Sequence, residues 1–144
     1  MNIHFFTILF FISASLFAQT NRYTKGAENG YAWNEMDKPI LAFNTSKETY
    51  LSSILQRYSL MQEKYPELES LSCREDINKL FSEGKSDEIS LEDVVKKIDK
   101  LYTQSNNMVI PIIFAYCYCI KELAGASVDE LNNYKEEVLL FCNE

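Results

Sequence analysis

Histidine is almost absent from this chain of 144 residues. The one histidine is His4, which lies in an apolar N-terminal stretch, so the rest of the sequence contains no imidazole. This excludes Ser-His and Cys-His nucleophile pairs there, together with zinc sites that use a histidine ligand. No glycine-rich phosphate loop, G-x-S-x-G elbow or H-E-x-x-H motif is present. We therefore interpret the chain as non-enzymatic and expect neither a cofactor nor a metal site.

Turn-forming residues and positive charge are also scarce. The chain has 4 Gly and 3 Pro against 47% hydrophobic residues, which favours long helices over a β-sandwich. It has 14 basic and 21 acidic side chains, a net charge of −7. Such a chain attracts phosphate backbones poorly, so we expect no nucleic-acid partner. We assign the charge mainly to solubility, with a basic protein partner as the sharper alternative.

Charged side chains are missing altogether from residues 1–18. The apolar run from Ile3 to Ala18 is about 16 residues, shorter than the roughly 20 needed to span a bilayer. It ends in small residues, as secretory signal peptides do, and predicts cleavage after Ala18. A retained anchor is the alternative. The sequence thus predicts an exported protein, periplasmic or secreted, whose residues 19–144 form one domain without a membrane span.

Four capping boxes predict where helices begin. Each pairs a serine or threonine with an acid three residues later: Thr45 with Glu48, Ser72 with Glu75, Ser90 with Asp93, and Ser127 with Glu130. Apolar residues follow each box at helical spacing, and in the second helix these are Ile77, Leu80 and Phe81. Gly84 and Gly125 are expected to end two of the helices. We predict an all-α bundle of about five helices.

The segment from Pro111 to Ile120 carries no charge and predicts a helix at about residues 110–124. Pro111 suits the first turn, where its missing N–H is no loss. A helix that is apolar nearly all round belongs at the centre of a bundle. Residues 19–31 are polar and expected to be loose. The single tryptophan, Trp33, is interpreted as a lid on the core. The alternative is an exposed sugar or peptide platform formed by an N-terminal aromatic group of Tyr23, Tyr31, Trp33 and Tyr50.

Four cysteines follow the predicted signal: Cys73, Cys117, Cys119 and Cys142. An even number of cysteines in an exported chain favours disulfides. Cys117 and Cys119 point about 200° apart on one helix and cannot bond to each other. An antiparallel hairpin of the last two helices places Cys142 roughly 13 Å further along the axis than Cys117, beyond the ~7 Å limit. Cys73–Cys142 is the preferred pairing; Cys73 with Cys119 or Cys117, and buried thiols, are the alternatives.

Three short motifs stand out in the chain. Gly30-Tyr31-Ala32-Trp33 has a G-x-x-W pattern, and Lys47, Tyr50 and Leu51 have a K-x-x-Y-hydrophobic pattern. Tyr102, Asn107, Ile110 and Pro111 form a Y-x4-N-x2-I-P segment. Together these motifs resemble those of a group of small exported bacterial proteins of unknown function. Ser53 stands where such proteins have glycine. The resemblance implies no established activity.

A looser likeness, of class only, is to the periplasmic immunity proteins that neutralise cell-wall amidases. We therefore expect an exported helical module that binds or inhibits a protein partner in the envelope. Tyr31, Trp33, Tyr102, Asn107 and Pro111 are candidate binding or structural residues, and Asn107 is expected to satisfy backbone groups in a turn. One alternative is a polysaccharide-acting enzyme with two carboxylates about 5–9.5 Å apart. Another is a structural envelope protein. The oligomeric state stays open.

Overall fold

The computed structural model describes residues 28–38, 45–62 and 66–143, and this part of the chain is built from helices. In chain order these are α1 (Gly30–Glu35), α2 (Lys47–Gln62), α3 (Arg74–Ser82), α4 (Leu91–Leu101), α5 (Ile112–Leu123) and α6 (Val128–Asn143). Short 3-10 turns lie at Pro66–Leu71, Ser86–Glu88 and Ser105–Asn107. The predicted all-α fold is confirmed. The predicted signal peptide, residues 1–18, lies outside the described residues.

Helix α5 lies at the centre of the bundle, as predicted. It packs against α2, α3, α4 and α6, and most of its side chains are buried: Ile112, Ile113, Phe114, Ala115, Cys117, Cys119 and Ile120. Pro111 precedes the helix with an extended backbone (φ −58°, ψ 142°) instead of lying in its first turn. The reason is tertiary, because Pro111 forms an isolated β-bridge with Asn29.

Two of the four predicted capping boxes are confirmed. The Ser90 hydroxyl accepts from the Asp93 N–H, and the Asp93 carboxylate accepts from the Ser90 N–H, each at 3.1 Å. At the start of α6 the same exchange joins Ser127 and Glu130. Gly84 (φ 69°) follows α3 and Gly125 (φ 88°) follows α5, both in the left-handed region that glycine favours.

The other two predicted capping boxes are wrong, because the helices begin one residue later than predicted. At α2 the Ser46 hydroxyl, not that of Thr45, accepts from the Thr49 N–H at 3.2 Å. At α3 the cap residue is Cys73, which makes no side-chain capping hydrogen bond. Ser72 stands too far from a helix whose first residue is Arg74.

Helix α1 was not predicted. It begins within residues 19–31, which were expected to be loose. The Asn29 side chain accepts from the Tyr31 N–H at 3.1 Å and caps this short helix. The Gly30 N–H donates to the Met108 carbonyl at 3.0 Å, so a partner distant in sequence fixes the helix. Within the described part of the chain, no helix combines the length and apolarity that crossing a bilayer requires.

Candidate functional site

The G-x-x-W segment and the Y-x4-N-x2-I-P segment, which are distant in sequence, contact each other in the structure. The N–H of Ile112 donates to the Glu28 carbonyl at 2.8 Å, alongside the bond from Gly30 to Met108. The Tyr102 ring covers Gly30 so closely that a Cβ on this glycine would lie 2.6 Å from the ring Cδ1. The G-x-x-W and Y-x4-N-x2-I-P segments are therefore two sides of one contact.

Tyr102 and Asn107 lie inside this contact. The Tyr102 hydroxyl donates to the Ile110 carbonyl at 2.7 Å, and burial raises the pKa of the phenol well above its ordinary value. The Asn107 amide donates to the Leu101 carbonyl at 2.9 Å and to the Gln104 side chain at 3.2 Å. Both side chains are almost fully buried, so their polar groups serve the turn between α4 and α5 and do not face solvent.

Trp33 is fully buried, which supports the lid interpretation and contradicts the exposed platform. Its indole N–H donates to Asp99 Oδ1 at 2.7 Å, and Lys47 Nζ lies 2.7 Å from the same oxygen. Lys47 also contacts Asp37 at 2.8 Å and lies 5.3 Å from the Trp33 ring centroid. These contacts fasten α1 to α2 and α4.

The protonation of this cluster follows from its contacts. Burial acts to lower the pKa of Lys47, but hydrogen bonds to Asp37 and Asp99 outweigh it, and the pKa is raised. Tyr50 packs beside Trp33 with ring centroids 6.3 Å apart, and its burial raises its pKa to about 12. Tyr31, another residue of the N-terminal aromatic group, is exposed, with 53% of its surface accessible. Lys47 is therefore a charged lysine held between two carboxylates.

Cys73 forms a disulfide with Cys117, not with Cys142 as the sequence favoured. Their Cα atoms lie 5.1 Å apart. The physical reason is helix adjacency, because α3 packs against α5. Cys119 and Cys142 are both buried outside this bond. Burial raises the pKa of the Cys119 thiol to about 12, so this thiol is protonated and inert at neutral pH.

An apolar groove of about 180 Å³ opens between α3, the Ser86–Glu88 turn, α4 and α5. Its walls are apolar except for the hydroxyls of two serines and one tyrosine. The lining residues are Ile77, Leu80, Phe81, Ser86, Ile89, Ser90, Leu91, Val94, Tyr116 and Ile120. Phe81, one of the apolar positions predicted for α3, lines this groove and is 65% exposed. The sequence indicated the apolar face of α3 but could not show that, among the described residues, Leu80 on this face is buried whereas Phe81 is left exposed. We call this surface the α3–α5 groove.

The walls of the α3–α5 groove are tied together by three links besides packing. The Cys73–Cys117 disulfide joins the start of α3 to α5. Lys121 on α5 forms an ion pair with Asp76 on α3 at 2.8 Å, with both side chains mostly buried. Lys79 on α3 donates to the Ala124 carbonyl, at the end of α5, at 2.7 Å.

The carboxylate-dependent enzyme alternative requires two acidic side chains in a cleft. In the part of the chain that the structure describes, no acidic side chain is buried. The buried polar residues there are Asn29 and Asn107. Glu122, the acid singled out after the apolar helix, is exposed and pairs with Lys97 at 2.7 Å. Over the same residues, no cluster of three or more His, Cys, Asp or Glu side chains has the arrangement of a metal site.

Comparison of this chain with known proteins gave no match to a family model, a characterised protein or a solved structure. The resemblance to small exported bacterial proteins therefore stays a prediction from short motifs.

Proposed function

We propose that this chain is an exported helical protein that binds a partner protein in the envelope, as an inhibitory or immunity-type module. Export is inferred from the uncharged, apolar residues 1–18 and their small-residue end. The observation that carries the binding role is the α3–α5 groove, whose lining includes Phe81 with 65% of its surface exposed. An exposed aromatic next to an apolar concavity is typical of protein interfaces, where a few aromatic anchors contribute most of the binding energy.

The size of the groove supports a protein partner over a small molecule. Pockets for small ligands and cofactors hold about 300–1,000 Å³. At about 180 Å³, the α3–α5 groove falls below that range. It has room for an apolar side chain inserted from another protein, and the flanking surface would contact the rest of that partner.

The rigidity of the groove supports the same role. α3 and α5 are joined by the Cys73–Cys117 disulfide, the Lys121–Asp76 ion pair and the Lys79 hydrogen bond. Walls that are ordered before binding lose less conformational entropy when a partner arrives. An oxidising compartment, which the predicted export supplies, maintains the disulfide.

Site-specific photocrosslinking tests the proposal. A photoreactive phenylalanine analogue is placed at Phe81 in the full chain, expressed in its native host, and the envelope is irradiated. Leu140 on α6 is the matched control position, since it is 66% exposed and outside the groove lining. We expect a discrete protein adduct from position 81 that is absent from position 140.

Two outcomes contradict the proposal. One is the absence of any adduct at position 81, and the other is an identical adduct pattern at both positions. Export is checked separately by N-terminal sequencing of the accumulated protein. We expect the chain to begin at Gln19, and a chain beginning at Met1 would overturn the export part of the proposal.

A further inference from the structure

We infer that the segment entering the α3–α5 groove is cationic, with one large apolar side chain flanked by lysine or arginine. This inference rests on the proposed binding function and specifies the chemistry of its partner. The groove itself selects only for an apolar side chain, because its lining is apolar apart from the hydroxyls of Ser86, Ser90 and Tyr116. The selection for charge comes from the chain segment along its edge.

Residues 83–96 form that edge, since they run from the end of α3 through the Ser86–Glu88 turn into α4. They contain five carboxylates and two lysines, a net charge of −3. The acidic side chains are exposed, and they are Glu83, Asp87, Glu88, Glu92 and Asp93. They alternate with lining residues, as Asp87 and Glu88 stand between Ser86 and Ile89.

The lysines of this region are already engaged. Lys85 pairs with Glu83 and Lys96 with Glu92, each at 2.7 Å. The lysines on the neighbouring elements are engaged too: Lys79 with the Ala124 carbonyl, Lys97 with Glu122, and Lys121 with Asp76. Within the described residues, Asp87 and Glu88 form no ion pair.

The hydrogen bonds at the start of α4 keep another negative charge at this edge. Asp93 accepts from the hydroxyl and the N–H of Ser90, a groove-lining residue. The hydroxyl hydrogen bond is the main cause that lowers the pKa of Asp93, so its carboxylate stays ionised at neutral pH. A cationic segment therefore meets a complementary potential, whereas an anionic segment meets repulsion.

Binding of synthetic peptides to the full chain tests this inference. The probes are short helical peptides with one central Phe, Leu, Trp or Met, flanked by Lys, by Gln or by Glu. Binding is measured by fluorescence anisotropy. We expect saturable binding of a Lys-flanked peptide, at least about tenfold tighter than its Glu-flanked counterpart. We also expect the preference to shrink as the ionic strength rises from about 0.05 M to about 0.5 M.

Matched variants locate the effect. Asp87→Asn with Glu88→Gln is expected to weaken binding of the Lys-flanked peptide about fivefold. Glu136→Gln with Glu137→Gln removes the same charge from the exposed face of α6 and is expected to change it less than about twofold. Phe81→Ser is expected to weaken all peptides, whereas Leu140→Ser leaves them bound.

The inference is overturned if the Lys-flanked peptides do not bind, if all flanks bind alike, or if both double variants act equally. Those outcomes leave the photocrosslink at position 81 unaffected, so they count against the charge preference alone. A missing crosslink at position 81 counts instead against the binding function itself.

Discussion

Tyr102 packs directly over Gly30, although the two residues lie half of the chain length apart in sequence. A Cβ atom at position 30 would lie 2.6 Å from the tyrosine Cδ1 and 2.9 Å from the Met108 Cα. Only glycine therefore allows α1 to approach the turn between α4 and α5. Because Met108 Cα belongs to the backbone, a larger residue cannot be accommodated by a side-chain rotation alone.

Gly30→Ala is expected to lower the free energy of unfolding by about 1–3 kcal/mol, since overpacking a tight contact forces atoms apart. Tyr31→Ala, at the exposed neighbouring position, is expected to cost under about 0.5 kcal/mol. Urea titration followed by circular dichroism measures both. Equal stability of Gly30→Ala and the unmodified chain would contradict the docking of α1.

Asp99 accepts hydrogen bonds from both Trp33 and Lys47. Two variants of Asp99 are expected to distinguish the contributions of these two contacts to stability. Asp99→Ala leaves the buried Trp33 N–H without its acceptor and should cost about 1–3 kcal/mol. Asp99→Asn keeps an oxygen for the indole but loses the charge that faces Lys47, so its cost should be smaller. Trp33 is the only tryptophan, so its fluorescence reports the unfolding of both variants. Equal costs for both would contradict this division.

The stability of the fold is expected to depend on whether the side chain at position 107 can donate a hydrogen bond to the Leu101 carbonyl. Asn107→Ala leaves the Leu101 carbonyl without its donor and should cost about 1–3 kcal/mol. Asn107→Asp should cost more at neutral pH, because an ionised carboxylate would face a carbonyl oxygen inside the protein. Part of that loss should return in acid, where the protonated side chain can donate again.

Asn106→Asp supplies the matched control for Asn107, since Asn106 is the exposed neighbour. Denaturant titrations at two pH values measure the three variants. A ligand-binding role without structural weight would leave all of them as stable as the unmodified chain.

The Cys73–Cys117 bond closes a stretch of 44 residues. Its removal by the double change Cys73→Ala and Cys117→Ala should cost roughly 2–4 kcal/mol. Non-reducing tryptic digestion should release a fragment ending at Arg74 joined to the fragment that carries Cys117 and Cys119. Fragmentation in the mass spectrometer then separates Cys117 from Cys119. A link from Cys73 to the fragment with Cys142 would contradict the structure.

The two confirmed capping boxes predict a loss of stability in acid. Hydrogen bonds from Ser90 lower the pKa of Asp93, and those from Ser127, its backbone N–H first, lower the pKa of Glu130. A carboxyl with a lowered pKa in the folded chain stabilises above its ordinary pKa, and the contribution disappears as the pH falls through the folded value. Unfolding free energy should therefore decrease below about pH 5.

Replacing both carboxyls should reduce the decrease of the unfolding free energy at low pH. Asp93→Asn with Glu130→Gln is expected to be less stable at pH 7 and to change less between pH 7 and about pH 3. Ser52→Ala, at an exposed serine within α2, should keep the full acid dependence. An unchanged slope in the double variant would show that these caps do not contribute to it.

Local signals allowed part of this fold to be predicted. Ser90 and Ser127 were identified as caps because their acidic partners stand three residues away. Gly84 and Gly125 were identified as the ends of helices because glycine favours the left-handed backbone conformation found there. The central position of α5 followed from its uncharged residues. Helix α1 was missed, because the Met108 carbonyl that orders it lies far along the chain.

The candidate site was less accessible to prediction. The face of α3 formed by Ile77, Leu80 and Phe81 was recognised as apolar, but periodicity cannot tell whether another helix covers such a face. The disulfide partner of Cys73 was misassigned for the same reason, because pairing depends on which helix lies next to α3. Trp33 was correctly interpreted as a lid, although its bond to Asp99 has no local signature.

The amino-acid sequence alone determined the helical class, the main caps and stops, the acidic surface and the lack of imidazole beyond His4, because each depends on composition or on residues within one turn. Only the tertiary structure decided the docking of α1 on Tyr102, the Cys73–Cys117 bond and the open α3–α5 groove. These features arise where elements distant in sequence come into contact. Which surfaces come together depends on how well they pack against each other, and the spacing of residues along one helix does not specify this.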